Sequence, residues 1–116
     1  MNIADIQAIC KKLPGVTQDI KWENHLCFNI GGKMFVITSP DTFPVTASFK
    51  VSAEDFDILE NKEGFKASPY LARYKWIHVD DIKRLSKKEW NYYLKQSHSL
   101  IAAKLPVKIK KQLKLV

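Results

Sequence analysis

A chain of 116 residues, 46% hydrophobic and 27% charged, is sized for one domain, residues 1–116, with one core, and its composition excludes disordered and fibrous classes. The opening residues hold no apolar run of signal-peptide length, and no stretch is long enough to span a bilayer, so the expectation is a cytoplasmic protein with no membrane association. The net charge of +7 is uneven: residues 1–60 carry five Lys or Arg against eight Asp or Glu, and residues 61–116 carry fourteen against four. Such asymmetry suits a polyanionic partner, nucleic acid first, and suits equally a set of lysines that solvate the outer faces of helices.

In chain order, Ile3, Ile6, Cys10 and Leu13 recur at helical spacing behind a capping Asn2, and Pro14-Gly15 ends that helix. A polar passage through Thr17 and Asp19 leads to an alternating segment. Trp22, Asn24, Leu26, Phe28 and Ile30 share one phase, and Glu23, His25, Cys27 and Asn29 the other, which is the pattern of a half-buried strand. Gly31-Gly32 supplies the positive φ angles of a two-residue hairpin turn. A regular ladder then pairs Ile30 with Lys33, Phe28 with Phe35 and Leu26 with Ile37. Lys33 falls at the end of that ladder, where its ammonium reaches water or a phosphate.

After Ser39-Pro40-Asp41 and Phe43-Pro44, a third strand runs from Val45 to Val51, with Ala47, Phe49 and Val51 opposed to Thr46, Ser48 and Lys50. Ser52 caps a second helix that stops near Gly64. The stretch 67–81, ASPYLARYKWIHVDD, reads as a loop entering a strand at Trp76, with Arg73 and Lys75 at the junction. Ser86 and Glu89 form a capping box for a long third helix along Trp90, Leu94, Ser97, Ile101 and Leu105. Pro106 ends or restarts it, and the basic tail fits a short amphipathic helix. The predicted architecture is α+β, ordered α-β-β-β-α-β-α: four mostly antiparallel strands with the helices on one face.

Chemistry is sparse in this pattern. Cys10 and Cys27 lack CxxC spacing and read as small buried hydrophobes. His25, His78 and His98 belong to no metal or catalytic motif, and Gly31-Gly32-Lys33 lacks the spacing of a phosphate loop. Asp80-Asp81 reads as the cap and turn before the third helix. Ser97 and His98, adjacent on a helix, point about 100° apart. No enzyme, metal or cofactor is therefore expected. Lys33, Lys50, Arg73 and Lys75 lie near Tyr70, Tyr74 and Trp76, a mixture of cations and aromatics that suits phosphates and exposed bases, although each aromatic taken alone fits a core better.

These residues carry a resemblance. Leu13-Pro14-Gly15, GGKMF at 31–35, Phe49-Lys50, SPYLARYKWIHVDD at 68–81 and SHSLIAAKLP at 97–106 resemble, in order, the motifs of the MmcQ/YjbR family. The resemblance implies a CyaY-like or double-wing α+β fold and a predicted DNA-binding role. It maps the family's recurrent polar positions onto Lys33, Lys50, Arg73, Lys75, Trp76 and Ser97. His98 and Val107 depart from it, standing where the family commonly has an aromatic and a lysine.

The reading is a monomeric, non-enzymatic protein that contacts the phosphate backbone of double-stranded DNA through Lys33, Lys50, Arg73, Tyr74, Lys75 and Trp76. A protein-interaction or small-ligand module with an aromatic pocket at Tyr70–Trp76 is its rival.

Overall fold

The computed structural model describes residues 1–69 and 71–115. Its elements are α1 (Ile3–Lys11), β1 (Val16–Lys21), β2 (His25–Ile30), β3 (Lys33–Ser39), β4 (Thr46–Lys50), α2 (Ala53–Glu60), β5 (Phe65–Ala67), β6 (Trp76–Val79), α3 (Lys87–Ala103) and α4 (Val107–Gln112), with 3-10 turns at Ala72–Tyr74 and Ile82–Arg84. The strands form one antiparallel sheet in the order β1-β2-β3-β4-β6-β5.

The α+β class stands, but the sheet has six strands where four were expected. Both additional strands are edges whose residues hide them. β1 exposes the four residues between Val16 and Lys21, so it has no apolar alternation. Its turn into β2 is the three residues 22–24, and the two at positive φ are Trp22 and Glu23, at 51° and 72°, where Gly or Asn usually announces such a turn. The strand expected to begin at Trp22 therefore begins at His25. β5 is three residues long, too short to show a period, and is recruited by pairing Lys66 with His78.

The β2–β3 hairpin turns at Gly31-Gly32 with Ile30 opposite Lys33, as expected, but its register then shifts. Asn29 pairs with Met34, Phe28 with Val36, and Leu26 with Thr38. This β-bulge replaces the expected Phe28–Phe35 and Leu26–Ile37 pairs. It turns two consecutive side chains, Phe35 and Val36, into the core, where both are fully buried.

One core lies between the sheet and the helices. It joins Ile6 and Cys10 of α1, Phe56 and Leu59 of α2, and Trp90 and Leu94 of α3 to Phe28, Ile30, Phe49, Ile77 and Val79 of the sheet. Asn2 and Ser86 make the capping boxes that start α1 and α3. Trp90 stacks edge-on against Phe49 at 5.3 Å and donates its indole N–H to the Ile82 carbonyl at 2.8 Å.

Ser97 has a role its helical spacing did not suggest. Its hydroxyl reaches out of α3, donating to the Phe35 carbonyl at 2.6 Å and accepting from the Lys50 amide at 3.0 Å. A fully buried serine thus satisfies backbone groups at the bulge and at the end of β4. His98, also buried, bonds the Pro14 carbonyl through Nε2 at 2.8 Å and packs edge-on against Phe35.

Gly31 holds the hairpin tip against the end of α3. A Cβ there would lie 2.7 Å from Leu105 Cδ1 and 3.0 Å from Ile109 Cγ2, and the residue has φ +58°. The tip of β2–β3 and the α3–α4 junction are therefore locked together.

Candidate anion-binding site

The lock places Lys33, first residue of β3, beside Lys104, which caps α3. β4 runs antiparallel to β3 and ends at the same edge of the sheet with Lys50, and Lys50 is the register partner of Trp76, first residue of β6. The 3-10 turn at 72–74 closes over them. The result is a concavity of about 470 Å³ lined by Lys33, Met34, Lys50, Leu71, Tyr74, Trp76, Ile101, Lys104 and Leu105. Three lysines line it and no acid does.

Lys50 is the unusual member. It is only 7% exposed, and its ammonium donates to the Tyr74 carbonyl. Neither of the two ion pairs found among the described residues, Asp19–Lys21 and Asp80–Arg84, involves it. Burial first, then the Lys104 charge, push its pKa down. A buried cation facing other cations with no counter-charge is electrostatically unfavourable, and an anion in the concavity relieves both causes.

The structure divides the expected contact residues. Lys33, Lys50, Tyr74 and Trp76 come together here. Trp76 is 5% exposed and forms part of the lining as well as packing in the sheet, while Tyr74 is 46% exposed at the rim. Arg73 lies over the Tyr74 ring at 4.9 Å, on the rim rather than in the lining. Lys75, at φ +64°, turns to α2 and lies 4.9 Å from the Phe56 ring centre, so it does not share this site. Tyr70, part of the expected aromatic pocket, lies outside the described residues. Lys104 escaped sequence reading: it looked like one more solvated helix lysine, and only the Gly31–Leu105 contact brings it to Lys33.

A second concavity of about 550 Å³ adjoins the first, sharing Met34 and Leu71. It lies on the sheet face opposite the core and includes His25, Ile37, Ser48, Ser68 and His78. Ser48 Oγ and His78 Nδ1 are 2.9 Å apart. Burial and Lys66 push the His78 pKa down. Hydrolytic machinery of the serine–histidine kind also needs a group to orient the ring, and Asp80 pairs with Arg84 at 2.5 Å instead.

Both thiols are buried, which pushes Cys10 up to about 12 and Cys27 up to about 11 and makes them poor nucleophiles. Among the described residues, no cluster of three His, Cys, Asp or Glu is placed to hold a metal, and no helix is long and apolar enough to cross a membrane.

Comparison with known proteins follows the same lines. No curated protein matches the chain. Solved structures share its fold, two of them as follows. The Deinococcus radiodurans protein DR2400, described by a DUF419 domain, has a TM-score of 0.85 at 20% identity, covering 97% of this chain and 88% of its own. A Pseudomonas syringae protein has a TM-score of 0.69 at 19% identity, covering 86% of this chain and 98% of its own. The family model YjbR matches residues 11–100, a span holding Lys33, Lys50, Tyr74 and Trp76, and the chain belongs to the YjbR family.

Proposed function

We propose that the chain is a non-enzymatic binding module that seats a phosphate group of its ligand among Lys33, Lys50 and Lys104. The observation that carries this reading is Lys50: a lysine only 7% exposed, whose ammonium meets a carbonyl but no carboxylate, in a concavity with two further lysines and no acid. Burying an unpaired charge costs stability that a merely structural lysine would avoid by reaching solvent. A multiply charged oxyanion is the ligand that best offsets three converging cations.

Nucleic acid is the extended source of such a phosphate. The cationic excess of residues 61–116 and the exposed Lys33, Arg73, Lys75 and Lys104 support DNA as the partner. In a regular duplex each backbone phosphate is flanked by sugars on both sides. It can touch the rim at Lys33, Arg73 and Lys104 but cannot descend to Lys50. A terminal phosphate, or one on a flexible strand, can reach the floor. The geometry therefore favours an accessible phosphate over the double-stranded backbone.

The test is a titration of inorganic phosphate followed by amide chemical shifts, run beside fluorescence anisotropy with duplex DNA and with a 5′-phosphorylated single strand across a salt series. Shifts centred on residues 33, 50 and 104, abolished by Lys50→Met, are expected. Phosphate that leaves those residues unmoved sinks the seat. A duplex binding as tightly to Lys50→Met as to the parent, with a salt slope falling by about one unit on removal of each rim cation, returns the reading to backbone contact alone.

A further inference from the structure

Resting on the phosphate seat proposed above, we infer that the adjoining open-face groove holds a nucleobase, so that the two concavities together take one nucleoside 5′-phosphate unit. The register sets the geometry. Lys50–Trp76 and Ser48–His78 are alternate paired positions of β4 and β6. Their side chains therefore emerge on the same sheet face, about 7 Å apart along the strands. That step is about the offset between the phosphate and the base of a nucleotide. Met34 and Leu71 line both hollows, so seat and groove are direct neighbours.

The lining of the groove chooses among anionic ligands. The walls are mainly apolar, as a flat ring wants, and polar edges from His25, Ser39, Thr46, Ser48, Ser68 and His78 interrupt them where an acyl chain would want unbroken hydrocarbon. No Lys, Arg, Asp or Glu lines it, so it suits a neutral group with hydrogen-bonding edges. Trp22, 61% exposed, stands at the lip with its ring edge-on to His25 at 5.8 Å, offering a flat surface to a flat ligand. His25 Nδ1 is buried and has no hydrogen-bond partner among the described residues; a base edge satisfies it once the ring turns toward the groove. His78 uses Nδ1 toward Ser48, which leaves its other ring nitrogen for the ligand.

The experiment measures binding of the four nucleoside 5′-monophosphates, ribose 5-phosphate, inorganic phosphate and a 5′-phosphorylated trinucleotide to the full chain by calorimetry. At least one mononucleotide should bind tenfold or more tightly than ribose 5-phosphate. His78→Ala should remove that excess while leaving ribose 5-phosphate within about twofold. Trp22→Ala, at an exposed turn, provides a second variant that keeps the fold. A trinucleotide equal to the mononucleotide identifies a strand end as the source, and a weaker one identifies free nucleotide; either supports the groove. Ribose 5-phosphate matching every mononucleotide, or an excess untouched by both substitutions, overturns the groove and leaves the seat standing. Failure of every phosphate to bind overturns both.

Discussion

The two faces of the sheet are built on opposite rules. The face under α1, α2 and α3 is a dry core of Phe28, Phe35, Phe49, Ile77 and Trp90, and its buried polar side chains are satisfied: Thr38 donates to the Leu26 carbonyl at 2.8 Å, and Ser97 bridges β3 and β4. The other face carries Lys50, Ser48 and His78, and its β2 residues hold the two buried polar side-chain atoms without a partner among the described residues, His25 Nδ1 and Asn29 Oδ1. Satisfied polarity is the mark of a face selected for stability, whereas unpaired charge and orphaned donors or acceptors mark one arranged for something else to complete. The comparison is the ground, independent of any motif, on which the proposed site is placed on the uncovered face.

Truncation should separate the faces most sharply. Phe49→Ala, which empties the centre of the core beside Trp90, is expected to cost about 3–5 kcal/mol in denaturant unfolding. Trp22→Ala on the open side should stay within about 0.5 kcal/mol. Equal losses at the two positions would erase the distinction.

Ser97→Ala comes next. It strands the Phe35 carbonyl and the Lys50 amide in a dry environment, for an expected cost of about 1–3 kcal/mol. A loss near zero would mean that the bulge relaxes to repair itself.

Lys50→Met should act in the opposite direction. Removing an uncompensated buried charge and keeping the stem is expected to leave thermal stability unchanged or raise it, while phosphate binding disappears. A destabilised Lys50→Met would assign Lys50 to the architecture through its bond to the Tyr74 carbonyl. An unaffected phosphate affinity would remove it from the seat.

The smallest effect is a pH dependence. Burial and Lys66, opposed by Asp80, hold the His78 pKa below its ordinary value of 6.5. The unfolded chain therefore takes up this proton first as pH falls, and stability contributed by neutral His78 is fully present above about 6.5 and declines below it. Replacing His78 with Gln should flatten that limb of a stability–pH profile. A profile unchanged by the substitution would assign the decline to other groups.

Much of the core was legible because its signals are local. Capping boxes, the Gly31-Gly32 turn and the period of α3 each depend on residues within a few positions of one another. The alternation of Ala47, Phe49 and Val51 against Ser48 and Lys50 also held. β1 and β5 were not legible: an exposed edge strand has no apolar phase, and three residues have no period. The bulge was hidden for a related reason, since Phe35 and Val36 are both apolar and either fits the inward phase.

The site shows the same division. Lys33, Lys50, Arg73, Tyr74, Lys75 and Trp76 were recognisable as a cation and aromatic set, but Arg73 stands at the rim and Lys75 against α2, and Lys104 joins the lining. By itself the sequence determined an α+β chain with a basic second half and membership of a family of such chains, because composition, turn chemistry and motif order are properties of the string. Only the tertiary structure decided which cations converge. That depends on a glycine at a hairpin tip admitting Leu105, on where a register slips, and on a left-handed residue at Lys75, which set distances between residues dozens of positions apart.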